Sequence, residues 1–331
     1  MPTFDPSIQT EKLGFDPNEL IVCDCGRKNP PNRHKCMYCG AGLDVEMDDS
    51  ALIKSNLRKL EDWERGLNVV VLNSSETADR SIALVAGLAS MEPEIALSIL
   101  KAGVPLPIAR VESESEASIV RNGLIKLGLE TIVVGDAELA ADKPPIRLSG
   151  IELTDAGMSV RSFNTGDLTD LVREDGLLLV KGVLAINSVD SLEKKKLRGG
   201  SKVLDETSLS SDEPVLDIYS PLHTTGFRIL QAGFDFSCLG SEKSLLAAEN
   251  LRRLISKITE HIPEASLVDN YDTIRRELGN VWDIETRKDP KGLQRAGFAS
   301  FAFGSVSSTS NLHQFTKYSR LQRHLYEGKK V

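Results

Sequence analysis

The stretch Cys23-Asp24-Cys25-Gly26-Arg27-Lys28-Asn29-Pro30-Pro31-Asn32-Arg33-His34-Lys35-Cys36-Met37-Tyr38-Cys39-Gly40 holds four of the chain's five cysteines. Two close cysteine pairs separated by a short loop can wrap a tetrahedral ion, each pair giving two thiolates from a tight turn. Gly26 and Gly40 directly follow the second cysteine of each pair. Glycine accepts positive φ there and lets backbone N–H groups turn toward sulfur. So short a segment buries too little apolar surface to fold alone. Bound zinc supplies the missing energy, on the order of 10 kcal/mol in zinc-finger peptides. The expectation is one structural zinc on Cys23, Cys25, Cys36 and Cys39, with rubredoxin-like iron or a redox dithiol as competing readings. A catalytic zinc keeps an open position, so four thiolates point away from chemistry at the metal. His34 reads as a solvated loop residue.

Asn29 lies four residues after Cys25 and seven before Cys36. With the two cysteine pairs, this spacing resembles the Ran-binding-protein type of zinc finger over roughly residues 21 to 41. The resemblance implies a small zinc ribbon of a kind that often binds single-stranded RNA or ubiquitin. The first pair is one residue shorter than the family's. Leu20, Ile21 and Val22 stand where the family has a tryptophan, so an aromatic platform for a base would fall to Tyr38, with Arg33 beside it. The fold and the metal carry over from the resemblance; the ligand does not.

At 331 residues the chain has room for two or three domains. Its formal net charge is −8, and its pI is near 5.3. A dedicated nucleic-acid binder is usually basic, so any such role must be local. The start, Met1-Pro2-Thr3-Phe4-Asp5, lacks the basic and apolar run of a signal peptide. The apolar stretch near 81–89 is interrupted by Glu92, Pro93 and Glu94, too soon to span a bilayer. Clustered thiols without a paired-cysteine framework fit a reducing cytoplasm.

The pattern predicts an α+β multidomain chain. Residues 1–20 read as a flexible arm and 21–43 as the zinc ribbon. Residues 48–65 read as a linker helix capped by Asp48-Asp49-Ser50, with a partial stripe of Leu52, Leu57, Leu60 and Trp63. From 66 to 142 the order is strand, two helices, strand, helix, strand, with a Ser113–Glu116 capping box and Gly103 and Gly128 as helix stops. Gly87, the stretch 93–103, Pro105-Leu106-Pro107-Ile108, Ser115-Glu116-Ala117 and Leu127-Gly128 carry a resemblance to the C-terminal domain of the bacterial ribosomal stalk protein. That resemblance implies an α/β interaction domain. Glu92-Pro93-Glu94-Ile95-Ala96-Leu97 stands where the family has a lysine-rich factor-binding face.

Beyond Pro144-Pro145 strands dominate, at 146–153, 158–164, 176–187, 214–219 and 226–238, closed by a helix at 241–262 with a broad apolar face. This order, a run of antiparallel strands closed by one amphipathic helix, resembles the bacterial pleckstrin-homology-like fold over 145–262 and implies a binding module. Residues 263–331 read as a C-terminal extension: a helix near 271–278, a Gly/Ser-rich stretch at 304–310, and a basic aromatic tail that either docks on the body or binds RNA.

Glu193-Lys194-Lys195-Lys196-Leu197-Arg198-Gly199-Gly200-Ser201-Lys202 reads as a mobile basic loop, and its glycine spacing is not that of a phosphate-binding P-loop. Cys238 follows an alternating run that places it with Phe234 and Phe236, a buried structural thiol; His223 and His261 are available as bases for a nucleophile, but nothing in the sequence pairs them with it. The leading expectation is a non-enzymatic, cytoplasmic, zinc-containing adaptor with a protein partner. The alternatives are an RNA- or ribosome-associated factor, using Arg33, Lys35, Lys194, Lys195, Lys196, Arg198 and Lys202, and an enzyme centred on Cys238.

Overall fold

Backbone placement in the computed structural model is described for residues 20–30, 35–41, 43, 57–61, 63–73, 79–195, 201–297 and 300–328, and side-chain placement for all of these except 73, 79–81, 194–195, 201–202, 296–297 and 300. The chain divides into two units, Met1–Val134 and Gly135–Val331. The arm expected at 1–20 lies outside the described residues save for Leu20.

In the first unit the ribbon holds two short strands, β1 (Ile21–Val22) and β2 (Lys28–Asn29), paired antiparallel. The α/β segment follows the expected order: β3 (Leu67–Asn73), α1 (Asp79–Ala89), α2 (Pro93–Lys101), β4 (Leu106–Val111), α3 (Glu114–Lys126) and β5 (Glu130–Gly135). The three strands form one sheet in the order β4-β3-β5. The Ser113–Glu116 capping box is formed. Gly103 and Gly128 take φ of +65° and +83° and end α2 and α3. Gly123 of α3 faces Leu88 of α1 so closely that a Cβ there would lie 2.7 Å from a leucine methyl. The joint expected as a helix at 48–65 is not helical over 57–61 and 63–65; its other residues lie outside the described ones. Local side chains hold the chain there instead. Arg58 makes two 2.9 Å bonds to Glu64, whose Oε2 also accepts from the Glu61 N–H. Leu60 is buried, packed against Gly66.

The second unit begins before Pro144-Pro145, with the short helix α4 (Asp136–Leu139). It continues through β6 (Ile146–Thr154), β7 (Gly157–Ser162), β8 (Leu168–Val172), β9 (Leu178–Lys195), β10 (Ser201–Ser220), β11 (His223–Leu230), α5 (Ala247–His261), β12 (Ser266–Val268), α6 (Tyr271–Leu278), β13 (Glu285–Gly297), β14 (Ser300–Ser310) and α7 (Leu312–Gly328). One sheet runs β13-β14-β9-β10-β11-β6-β7-β8, with β12 beside β9. The antiparallel run expected over 145–262 fails at one joint, because β11–β6 is parallel; β12, beyond that range, also pairs parallel, with β9. Residues 263–331 are therefore no separate extension. β13 and β14 enlarge the sheet, and α7 joins its core.

Both faces of the sheet's centre are covered. On one face Leu179, Leu216, Ile218, Phe227 and Ile229 meet the apolar stripe of α5, including Leu251, Leu254 and Ile258. On the other face lies α7, in which residues 314–321 are all buried. Gly182 of β9 lets it approach, since a Cβ there would sit 2.5 Å from the Phe315 ring. The basic aromatic tail is thus the inner helix of the unit. Its polar side chains are spent internally. Gln314 bonds Tyr271 and the Trp282 carbonyl, Ser319 bonds Tyr219, and Arg320 bonds the carbonyls of Thr224 and Lys143. Beneath α7, Asp217 and Arg228 face each other across β10 and β11. They bond at 2.7 and 2.8 Å, and Arg228 also donates to Thr316.

No single helix among the described residues is long and apolar enough to cross a membrane.

Asp217 is fully buried and Arg228 nearly so. Removing the carboxylate alone strands a guanidinium in the core, a loss of about 3–5 kcal/mol. A thermal melt of Asp217→Ala is expected to show the second unit unfolding roughly 10 °C earlier. Replacing both residues with apolar ones, Asp217→Leu with Arg228→Met, is expected to recover much of that loss.

Candidate metal centre

The two cysteine turns are built alike. In the first, Gly26 donates to the Cys23 carbonyl (2.7 Å) and Cys23 to that of Arg27 (3.0 Å). In the second, Gly40 donates to the Cys36 carbonyl (3.0 Å) and Cys36 to that of Ala41 (2.8 Å). Gly26 and Gly40 sit at φ +79° and +74°, the left-handed region that a side chain would resist. The first turn has one residue fewer between its cysteines and closes tighter, with no loss of the motif.

The four Sγ atoms of Cys23, Cys25, Cys36 and Cys39 all lie within 4.8 Å of one another. Cys23 and Cys39 sulfurs are 3.5 Å apart, and those of Cys25 and Cys36 are 3.6 Å apart. These separations exceed the disulfide length of about 2.05 Å. They fit a tetrahedron of thiolates, in which a metal–sulfur bond of about 2.3 Å sets sulfurs about 3.8 Å apart. Cys23 and Cys36 are buried, and Cys25 and Cys39 are exposed.

Asn29 holds the centre from behind. It is fully buried, and its amide nitrogen donates to the Arg27 carbonyl (3.0 Å) and to the Cys36 sulfur (3.4 Å). Its oxygen accepts from the Met37 N–H at 2.8 Å. The Tyr38 N–H also reaches the Cys36 sulfur, at 3.5 Å. Burial alone would push the Cys36 thiol up. The N–H groups of Tyr38 and Cys39, with the Asn29 amide, outweigh it and bring the thiol down to about 6. At Cys23 the N–H of Cys25 works downward, but burial and the three neighbouring thiols carry it up to about 12. Sulfurs this crowded resist ionising together, and a bound cation removes that repulsion. The donor set therefore fits a thiolate-loving metal and fills all four positions of a tetrahedral site.

Three large apolar side chains project from the described part of the ribbon: Val22 (61% exposed), Met37 (54%) and Tyr38 (61%). The Arg27 guanidinium lies 5.1 Å over the Tyr38 ring. Lys35 is exposed, whereas Arg33 and His34 lie outside the described residues. Sequence reasoning did not single out Val22 or Met37 as surface groups; nothing local marks them, and among the ribbon's described residues only Cys23, Asn29 and Cys36 are buried.

The described ends of the basic run at 193–202 are strand, where a loop was expected. β9 continues to Lys195 and β10 starts at Ser201, with Lys194 opposite Lys202 in the ladder. Lys196 and Arg198 lie outside the described residues.

Cys238 is not on a strand. β11 ends at Leu230, and Cys238 lies in the 3-10 turn Ser237–Glu242. The alternation argument fails there, although Phe234 and Phe236 are indeed buried and pack edge to face at 4.8 Å. The thiol is half-buried against the core, and burial pushes it up. His261 bonds the Thr154 carbonyl at 2.7 Å, and His223 packs on Phe227.

Comparison with known proteins finds no matching family model, no matching curated protein and no matching solved structure.

Asn29→Ala is expected to weaken metal binding by about 10–100-fold, because the group that orients Cys36 is lost while all four ligands remain. Chelator competition on the metal-loaded chain measures this; unchanged affinity would show the amide to be a packing group alone.

Proposed function

We propose that this chain is a non-enzymatic, cytoplasmic adaptor whose ribbon carries one structural zinc on Cys23, Cys25, Cys36 and Cys39 and meets a protein partner. The observation that carries the reading is the saturated thiolate cage. Four sulfurs within 4.8 Å leave no position for a substrate or an activated water, so the metal's work is to hold a shape. That shape presents Val22, Met37 and Tyr38 to solvent, apolar anchors of the kind a protein interface covers. The element order of the α/β segment, which resembles the stalk-protein domain, and the two-faced sheet of the second unit supply further binding surfaces. A second reading, RNA binding, draws on one feature: an exposed tyrosine with a guanidinium over its face, the pairing that stacks an unpaired base.

Metal analysis of the freshly purified chain is expected to find about one equivalent of zinc. Cys36→Ser should lose it and leave residues 21–41 open to protease, while the remainder still melts cooperatively. Finding iron, or no metal, overturns the assignment. Affinity purification from native lysate, with and without nuclease, divides the two functional readings. A partner that survives nuclease but is lost with Cys36→Ser fits the adaptor; a partner lost with nuclease fits the RNA reading.

A further inference from the structure

Four strands of the second unit run side by side beyond its core: β13, β14, β9 and the first half of β10, in that order. Inside this arm β9 and β14 are paired on both sides. β13 has only β14, and β10 gains its second partner, β11, only from Val215 onward. Among the described residues, then, β13 and the 205–213 stretch of β10 are open edges. Residues 203–212 and 285–295 are exposed throughout.

The two edges carry opposite charge. Residues 205–213 of β10 hold Asp205, Glu206, Asp212 and Glu213 and no base; residues 287–295 of β13 hold Arg287, Lys288, Lys291 and Arg295 against the single acid Asp289. We propose that these edges join head to tail between copies of this chain, the acidic edge of one arm pairing antiparallel with the basic edge of the next.

Strand direction permits it. The arm is antiparallel at every junction, so β10 and β13 run in opposite senses. A second copy laid alongside in the same orientation continues the alternation. Side-chain parity permits it as well. The internal ladders put Glu206 and Asp212 on one face with Lys288 and Arg295, and Glu213 on the other with Arg287. In one register Glu213 faces Arg287, Asp212 faces Lys288 and Glu206 faces Arg295. The shift of one residue that this requires midway is the bulge β13 already has between Pro290 and Gly292. Leu209, an exposed leucine on the acidic edge, then falls opposite Gly292, which leaves it room.

Arg287, Lys291 and Arg295 already have interactions of their own: Arg287 bonds Asp289 at 2.9 Å, and Lys291 bonds Asp190. Pairs this exposed hold weakly and exchange readily. Pro290 and the bulges at Lys291 and in β10 near Leu204 are devices that discourage indiscriminate strand addition. They leave the charge-matched register as the favoured one. Because the contact joins two different edges, it is not self-closing, and it yields a ring or a filament according to the rotation between copies.

Sedimentation velocity of the full chain over a concentration series tests this. Species larger than a dimer are expected to grow with concentration at low salt and to shrink as salt screens the charges. Reversing the acidic edge (Glu206→Lys, Asp212→Lys, Glu213→Lys) or the basic edge (Arg287→Glu, Lys288→Glu, Arg295→Glu) is expected to weaken association by roughly tenfold or more, like charges then facing each other. An equimolar mixture of the two reversed chains should associate again, since each supplies the edge its partner needs. Thermal melts matching the parent confirm that both variants are folded. The proposal is overturned by a chain that stays monomeric at low salt at every concentration. It is overturned equally by a closed dimer that both reversals leave intact, or by reversed chains that fail to associate when mixed.

Discussion

A carboxylate and a guanidinium buried in the middle of a sheet decide how the second unit is assembled. Asp217 and Arg228 are direct partners across β10 and β11, and both point to the side that α7 covers. Their neighbours in sequence, Leu216, Ile218, Phe227 and Ile229, point to the α5 side. A slip of one residue in either strand would drive a charge into that apolar layer. The cost of leaving it there unpaired fixes the register more firmly than the apolar side chains do, since those tolerate exchange. The same pair makes a polar seat for α7, which explains how a helix containing Gln314, Thr316, Lys317, Ser319 and Arg320 is buried along eight consecutive residues.

What the sequence made legible was local. The capping box, the glycine stops and the helical stripes of residues 66–135 are signals confined to a few neighbouring positions, and that segment folds as they dictate. The cysteine spacing located the cluster of four thiols for the same reason. Illegible were elements whose state is decided by distant partners. Within the extension expected at 263–331, Lys288, Asp289, Pro290 and Gly292 carry no strand signal, yet they are strand because β14 lies beside them; strand propensity depends on packing against neighbours. The serines and acids of 203–213 hid the first half of β10 in the same way. The parity argument for Cys238 broke because the chain leaves the strand after Leu230 and turns at Gly233, where φ is +75°.

The ribbon inverts the usual relation between core and ligand. Among its described residues only Cys23, Asn29 and Cys36 are buried, so the buried part of the described ribbon consists of two thiols and the amide that orients one of them. A conventional core has apolar mass to spare. Here the other described side chains are wholly or partly exposed. The exposed Val22, Met37 and Tyr38 follow from that economy.

The sheet order also constrains the timing of folding. β9 is flanked on one side by β10, which follows almost at once, and on the other by β14, more than a hundred residues later in the chain. α7, which covers the Asp217–Arg228 pair, is later still. During synthesis, at about 5–20 residues per second, the β9–β10 hairpin therefore emerges with one long edge bare and its buried charges uncovered. Non-local pairings of this kind are slow to form. A chain stopped anywhere before residue 312 lacks the helix that closes the unit, so the core of the second unit stays open until that helix has been made.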